Sequence, residues 1–330
     1  MRFLAFTLLA LGMAVPVSVF AQSINSVGPA ALTLDISPQY PRPYDTISIS
    51  PSSNSFDLSG AKITLSADGK QIATGSGTSP MLVQLGGAGT ATTIKVTAVT
   101  AGGGSYSASQ TIVPAEVDLV AEPTSTNHPF YQGGLGIPSH GQVRLIAVPD
   151  LRTGTTKRLA DNALVYTWKL NGQVLTDASG IGRSVISMTA PVRYRDATVE
   201  VIVTSPDASV VAEDHATISP TDPLVRLYEN DPLLGVRYDQ ALGSDYTMTA
   251  AEDTFTAVPY YFASAPSLIW TVAGKASGSD PAITLRASGN AGGTAAVSVA
   301  ASLDQLFETA SQAVRVTFGA SNQSTGIFGL

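Results

Sequence analysis

The chain has 330 residues, a formal net charge of −7, 44% apolar residues and 13% charged residues. That composition is typical of a folded globular chain, since disordered chains combine few apolar residues with high charge. The absence of cysteine excludes disulfides, zinc–thiolate sites, cysteine nucleophiles and a lipid anchor on cysteine, while the evenly spread acidic charge argues against nucleic acid and anionic lipid as partners.

The N-terminus predicts a signal peptide over residues 1–21. A positive start is followed by an uncharged apolar run over residues 3–19, and residues 19–21 place small side chains before a cleavage site. One alternative is an uncleaved membrane anchor, which Pro16 and the cleavage site disfavour. The other is a type IV prepilin leader. This sequence lacks the Gly before the apolar run and the Glu after it that such a leader requires.

The signal peptide predicts an extracytoplasmic protein, located in the periplasm, on the cell surface or in the medium. No later segment approaches about 18 consecutive apolar residues, so we expect no membrane insertion once the signal is removed. Export without cysteine fits a bacterial protein better than a small disulfide-stabilised eukaryotic one.

Strand patterns occupy the remaining chain and repeat three times, with alternating apolar and polar residues between Gly, Pro, Ser and Asp clusters. Each copy contains a strand that leads into a glycine turn, a short apolar strand and a long hairpin. The hairpins are Thr93–Val113, Ala197–Ile218 and Thr294–Phe318. The sequence predicts an all-β fold of three tandem immunoglobulin-like β-sandwich domains, at residues 28–115, 116–219 and 224–318, with a tail at 319–330. Only Leu303–Thr309 has a helical pattern.

Two tryptophans occupy matching positions in these copies. Trp168 and Trp270 each lie four residues before a glycine, and Leu65 takes the same position in the first copy. In immunoglobulin-type sandwiches, a Trp on strand C fills the space between the sheets. We therefore expect both tryptophans in cores and not in a sugar-binding platform. The Asn171-Gly172 pair predicts a tight turn, since both residues tolerate positive φ.

The segment Tyr166–Gly172 (YTWKLNG) resembles bacterial immunoglobulin-like and PKD-like surface modules. The resemblance extends over nearly all of residues 28–318, although the stricter PKD motif Trp-Asp-Phe-Gly-Asp-Gly is absent. The whole chain is also similar to exported multi-sandwich proteins of bacteria. The resemblance implies structural or adhesive work outside the cell.

Two segments exceed a minimal sandwich, namely Pro123–Gly141 and Arg226–Thr247. Because loops at the end of a sandwich can form binding sites, their aromatic and histidine residues are candidates for contact with a partner. The alternative, which we favour, is that these residues pack between neighbouring domains. The tail is either frayed or a segment that docks on a partner's sheet edge. The candidate residues are His128, Phe130, Tyr131, His140, Tyr228, Tyr238 and, in the tail, Phe328.

Motifs for catalysis, phosphate binding and EF-hand calcium binding are missing from the sequence. No catalytic residue, cofactor or metal is therefore assigned. Carboxylates near the predicted domain junctions offer an alternative as Ca²⁺ ligands, although solvated surface charge is the favoured interpretation. They are Glu116 with Asp118, and Asp222 with Glu229 and Asp231.

These observations predict a non-catalytic cell-envelope protein with a structural or adhesive role. Its partners would be envelope or appendage proteins, for example in a pilus, that contact its loops or sheet edges. One alternative is an array of carbohydrate-binding modules, in which Phe130, Tyr131 or Tyr228 would stack on glycans. The other alternative is a secreted hydrolase, which would need converging carboxylates or a Ser-His pair.

Overall fold

A computed structural model describes residues 32–155, 157–287 and 292–319. The predicted signal peptide and the tail beyond Gly319, which includes Phe328, lie outside the described residues. Within the described ranges, no helix has the length and apolar character needed to cross a membrane.

The first set of strands forms two sheets, in the orders β1-β2-β5 and β4-β3-β6-β7. Alternating burial along β2 and β6 places one face of each strand in the interior. The strands are β1 (Thr33–Ser37), β2 (Thr46–Ser52), β3 (Lys62–Ala67), β4 (Lys70–Ser76), β5 (Met81–Gln84), β6 (Thr92–Val99) and β7 (Ser105–Ile112).

The second set repeats this arrangement, in the orders β15-β9-β8 and β13-β12-β16-β17. Short β14 also pairs with β12, and β10 pairs with β11. A 3-10 turn at Asp161–Ala163 precedes β12. The strands are β8 (Glu116–Pro123), β9 (Gln142–Asp150), β10 (Arg152–Thr153), β11 (Lys157–Arg158), β12 (Val165–Leu170), β13 (Gln173–Val174), β14 (Gly180–Ile181), β15 (Val185–Thr189), β16 (Ala197–Thr204) and β17 (Val211–Ile218).

The third set adds two strands to the arrangement, in the orders β19-β18-β21-β24 and β20-β26-β25-β22-β23. Here β19 extends one sheet as a hairpin with β18, and β20 runs parallel to β26. The strands are β18 (Leu224–Asp231), β19 (Gly235–Ala241), β20 (Asp245–Thr247), β21 (Glu252–Tyr260), β22 (Ser267–Val272), β23 (Lys275–Gly278), β24 (Ala282–Arg286), β25 (Gly293–Leu303) and β26 (Glu308–Phe318).

The helix expected over Leu303–Thr309 is wrong. The β25–β26 pairing continues to Leu303 and Glu308, so only a 3-10 turn at Asp304–Leu306 and Phe307 remain between the strands. Phe307 has φ 55°, a left-handed conformation that ends the turn. The hairpin pairing therefore overrides the local helical pattern.

The three sets share one strand order, and this order is that of an immunoglobulin-type sandwich. Lettered along the chain, each set has sheets A-B-E and C′-C-F-G. The second and third sets each have their own apolar core, which contains side chains from both sheets of the set. The predicted all-β, immunoglobulin-like fold class is confirmed.

Compactness divides the chain into two units. Among the described residues, one unit contains 32–36, Ser48–Leu82 and Thr93–Thr111, and the other contains Ser37–Ile47, Val83–Thr92 and 112–319. The second and third strand sets therefore belong to one unit. The boundaries of the three predicted domains stay a prediction.

Both tryptophans lie in cores, as predicted. Trp168 on β12 and Trp270 on β22 are fully buried, and Leu65 on β3 is buried at the matching position. The indole N–H of Trp168 donates to the carbonyl of Arg183, and that of Trp270 donates to the carbonyl of Asp280, each at 2.8 Å. These bonds satisfy the buried donors, which would otherwise destabilise the fold.

The turn after each of these strands has two consecutive residues with positive φ. The pairs are Asp68-Gly69, Asn171-Gly172 and Ala273-Gly274, with φ of 48–49° at the first residue and 79–80° at the second. This is the type I′ hairpin turn, which Asn and Asp tolerate better than Ala. In the first two turns the side chain also accepts a backbone N–H, from Thr93 to Asp68 at 2.8 Å and from Thr198 to Asn171 at 2.9 Å.

Replacing Ala273 by Asn is expected to stabilise the third set by about 0.5–1 kcal/mol. Asn adopts the left-handed backbone conformation of this position at a lower cost than Ala. Its side chain also supplies an acceptor for the N–H of Ala296, as Asn171 does for the N–H of Thr198 in the second set. Urea unfolding of the full chain measures the change. As the matched control, Asn171→Ala should lower stability by a similar amount, and a stabilising Asn171→Ala would contradict this explanation of the turns.

Replacing Trp168 by Ala is expected to destabilise the second set by about 3–5 kcal/mol, because it opens a large cavity in the centre of the core. Thermal unfolding followed by tryptophan fluorescence and circular dichroism measures the loss. Ile181→Ala is the control, since this side chain is 71% exposed. An unchanged melting temperature in Trp168→Ala would show that Trp168 is not a core residue.

Candidate functional site

The two long segments meet in a cluster of aromatic rings, which we call the aromatic cluster. Tyr228 lies on β18, Tyr238 on β19, and Tyr260 ends β21. The segment between β8 and β9 supplies rings that pack against these strands. The aromatic cluster consists of His128, Tyr131, Tyr228, Tyr238, Tyr260 and Tyr261.

His128 lies at the centre of the aromatic cluster. Its ring stacks on Tyr238, with centroids 4.7 Å apart and planes 9° apart. It meets Tyr131 edge-on at 5.5 Å and Tyr260 edge-on at 5.9 Å. Offset and edge contacts of this kind are the favoured arrangements of aromatic pairs.

Two hydroxyl pairs close the aromatic cluster. The hydroxyls of Tyr228 and Tyr260 are 2.7 Å apart, and those of Tyr131 and Tyr261 are 2.8 Å apart. Burial, with the hydrogen bond to Tyr228, raises the pKa of Tyr260. The hydrogen bond to Tyr131, followed by burial, raises the pKa of Tyr261. Both hydroxyls therefore stay protonated, and each can donate its O–H to the hydrogen bond within its pair.

Backbone hydrogen bonds join the same segment to the third set. The N–H of Thr126 donates to the carbonyl of Phe262, and the N–H of Tyr261 donates to the carbonyl of Thr126, each at 3.0 Å. The Phe262 N–H also donates to Oγ1 of Thr126 at 3.0 Å. A Cβ added at Gly136 would lie 2.7 Å from the Tyr261 ring, so this close approach requires glycine.

The structure brings four of the candidate residues together and separates the others. His128, Tyr131, Tyr228 and Tyr238 belong to the aromatic cluster, which agrees with the favoured interpretation that the segments pack between neighbouring strand sets. Phe130 is 76% exposed. The exposed His140 lies in a turn with φ 54°, and Phe328 lies outside the described residues. Binding by any of them stays a prediction.

Tyr260 and Tyr261 were not among the residues predicted from the sequence. The signal available was a pair of adjacent tyrosines at the end of an apolar strand, just before a turn. Neighbouring residues of a strand point to opposite faces, so such a pair would ordinarily be read as one core and one surface ring. Here Tyr261 has φ 61°, which ends the strand and leaves both rings near Tyr131.

An exposed apolar turn lies at the end of the β18–β19 hairpin. Leu233 and Leu234 are 92% and 79% exposed. Asp231 holds this turn, because its Oδ1 accepts the N–H groups of Leu233 at 2.7 Å and Leu234 at 2.9 Å. These two bonds lower the pKa of Asp231. The carboxylate therefore shapes the turn that presents the two leucines.

The carboxylates considered for Ca²⁺ are engaged separately. Asp222 pairs with Arg193 at 3.2 Å, and Asp118 pairs with Arg42 at 3.3 Å. Asp231 accepts hydrogen bonds within its own turn. Among the described residues, His, Asp and Glu side chains do not gather in groups of three that could hold a metal. The partners of Asp118, Asp222 and Asp231 are thus arginine side chains and backbone N–H groups.

A buried carboxyl group lies close to the segment that joins the two strand sets. Glu308, the first residue of β26, is 1% exposed. Its Oε2 accepts the N–H of Ala263 at 3.4 Å, and within the described structure its Oε1 has no hydrogen-bond partner. Burial raises the pKa of Glu308, while the backbone N–H groups of Ala263 and Ser139 and the charges of Arg193 and His140 oppose that rise. Sequence analysis gave no signal for this residue.

Comparisons with known proteins identify no family. No protein-family model and no curated protein matches the chain. Similar solved structures include the fibronectin(III)-like modules of Clostridium thermocellum CbhA, with 14% identity, TM-score 0.28, and coverage of 58% of this chain and 94% of that chain. The three N-terminal domains of the bacteriophage RB49 Highly Immunogenic Outer Capsid protein match with 13% identity, TM-score 0.25, and coverage of 88% and 98%. At these TM-scores the fold class rests on the chain's own strand order.

Replacing Glu308 by Gln is expected to raise the melting temperature at pH 7. The folded state holds the proton of Glu308 more tightly than the unfolded state, because burial raises the pKa of Glu308 above its ordinary value of 4.5. The carboxyl group therefore favours folding below pH 4.5, and this contribution is lost as pH rises through the higher folded pKa. Thermal unfolding between pH 4 and pH 8 measures the effect.

The same scan contains its control. Glu308→Gln should differ little from the parent chain at pH 4 and should exceed it increasingly above the folded pKa. Glu122→Gln, on an exposed side chain paired with Arg144, controls for the general loss of one negative charge. A destabilising Glu308→Gln at pH 7 would mean that the carboxylate is stabilised by its surroundings.

Proposed function

We propose that the protein is an exported, non-catalytic cell-envelope protein with a structural or adhesive role. It presents immunoglobulin-like domains, bounded near residues 28–115, 116–219 and 224–318, to protein partners, for example within a surface appendage such as a pilus. The observation that carries this proposal is the hydrogen-bonded, ring-packed connection between the second and third strand sets. A fixed connection is what a protein that spaces and presents surfaces requires.

The connection combines interactions of different kinds. Three hydrogen bonds involve Thr126, and the hydroxyls of Tyr131 and Tyr261 form one further pair between the two sets. The His128 ring also stacks on Tyr238. Aromatic pairs contribute about 0.5–1.5 kcal/mol each beyond the area that they bury. Together these contacts favour one arrangement of the two sets over the variable arrangements of flexibly linked domains.

Several polar residues that could support catalysis have structural partners, which supports a non-catalytic role. His128 stacks within the aromatic cluster. Asp207 accepts hydrogen bonds from Ser205 and Ser209, and Asp231 holds the turn at Leu233. Enzymes instead direct perturbed acids and bases into a cleft where substrate can reach them.

Exposed apolar residues next to the rigid connection are the proposed contacts with a partner. The ring centroid of Phe130 lies 6.4 Å from that of Tyr238. Leu233 and Leu234 are exposed at the β18–β19 turn. Apolar side chains on fixed turns lose little conformational freedom when they are buried by a partner. The predicted signal peptide supports an extracytoplasmic location.

Cross-linking of intact native cells, followed by capture of the tagged full chain and mass spectrometry, tests the proposal. We expect reproducible recovery of the same envelope or appendage proteins. The triple substitution Phe130→Ser, Leu233→Ser and Leu234→Ser should lower their recovery at least fivefold, because it removes the apolar contacts.

Tyr194→Ser is the matched control, since this ring is 86% exposed and lies outside the two long segments. Its recovery of partners should equal that of the parent chain. Recovery of the protein alone from the medium would overturn the proposed envelope role. Equal recovery with the triple variant would overturn the assignment of the contacts.

A further inference from the structure

A groove of about 620 Å³ opens at one end of the first strand set. It lies between the end of β2, the loop that follows β2 and the loop between β4 and β5. Hydroxyl side chains dominate its lining, together with one aromatic ring and one carboxylate. We propose that this groove binds a neutral carbohydrate. The residues used in the argument are Ser52, Phe56, Asp57, Ser76, Thr78 and Ser79.

Phe56 is the aromatic ring of the groove. It stacks on Tyr106 of β7, with centroids 3.9 Å apart and planes 14° apart. Tyr106 does not line the groove, so it holds the Phe56 ring without occupying the groove. Aromatic rings bury the apolar C–H faces of ligands without losing much conformational freedom, and a ring already held by a neighbour loses less. A sugar ring has such a face.

The hydroxyl groups match the other part of a sugar. Ser76, Thr78 and Ser79 line the groove beside Ser52. A serine or threonine hydroxyl both donates and accepts hydrogen bonds, as a sugar hydroxyl does. Lining of this kind suits a ligand with many hydroxyls, whereas an apolar ligand would offer these groups no hydrogen bond.

Asp57 supplies a fixed acceptor. Its Oδ1 accepts the N–H of Ser59 at 2.8 Å, and its Oδ2 accepts the Ser59 hydroxyl. These bonds lower the pKa of Asp57, so the group stays ionised at neutral pH. An ionised carboxylate has about four lone-pair sites, which leaves acceptor capacity for adjacent sugar hydroxyls.

The charge of the lining determines the class of sugar. None of the residues that line the groove is Lys or Arg, and Asp57 contributes a negative charge. Phosphate groups, sialic acids and uronic acids would meet repulsion without a compensating cation. The groove therefore favours a neutral sugar over an anionic one.

The walls of the groove are tied together by backbone hydrogen bonds. The N–H of Ala61 donates to the carbonyl of Leu58 at 3.0 Å, and the N–H of Gly77 donates to the carbonyl of Ala61 at 3.1 Å. Leu58 is buried and forms part of the groove lining. Because these bonds connect the two loops, a ligand would find the groove already formed.

Saturation-transfer NMR of the full chain with cello-, malto-, laminari- and mannohexaose tests the proposal, with 3′-sialyllactose as the anionic probe. We expect at least one neutral hexasaccharide to bind and the anionic probe not to bind. Phe56→Ala and Asp57→Asn should each weaken binding at least tenfold. Thr78→Trp, at an exposed position, fills the groove and should abolish binding with the fold intact by circular dichroism.

Phe130→Ala is the control, because this exposed ring lies in the other compact unit. It should leave binding unchanged. Binding of none of the neutral hexasaccharides would overturn the proposal, and so would binding that persists in both Asp57→Asn and Thr78→Trp. The groove proposal stands independently of the proposed protein partners, since the groove variants should leave the cross-linked proteins unchanged.

Discussion

Each buried indole must both fill its core and find an acceptor for its N–H, and this double requirement organises the second and third strand sets. With no cysteine in the chain, no disulfide can join the two sheets. Trp168 and Trp270 instead fill the centre and bond the carbonyls of Arg183 and Asp280, which belong to the segment between strands C′ and E. Burial of the ring therefore also positions that segment. Leu65 replaces the indole in the first set and needs no acceptor there.

The connection between the second and third sets extends the same physical rule to polar groups. Tyrosine hydroxyls that leave water pair with one another, and burial keeps them protonated. Glu308 is the exception, because its Oε1 is buried without a described partner. Its surroundings favour the protonated form. Glu308 therefore stabilises the connection more in acid than at neutral pH. At pH 7 the aromatic cluster thus stabilises this region, whereas the buried carboxyl group of Glu308 destabilises it.

Much of the fold could be predicted because strand alternation and turn chemistry are local signals. The period-2 pattern indicated the β16–β17 hairpin, and Asn171-Gly172 indicated the turn between β12 and β13. Contacts between distant segments had no comparable signal. The stack of Phe56 on Tyr106 joins residues 50 positions apart, and the bond from Tyr131 to Tyr261 spans 130 positions. The pattern at Leu303–Thr309 misled because four intervening residues cannot hold both a helix and the reversal of a hairpin.

The distribution of residue types over strands and loops separates stability from recognition. The largest buried side chains, such as Trp168, Phe255 and Leu145, lie on strands whose neighbours tolerate little change in volume. Phe130 and Leu233 lie on segments outside the cores, and Thr78 and Asp57 lie on loops at a groove. Loop residues of this kind can change without opening a cavity, because no core side chain depends on their volume. One scaffold can therefore carry an apolar contact surface and a hydroxyl-rich groove, since the chemistry of each is set by side chains that the cores do not use.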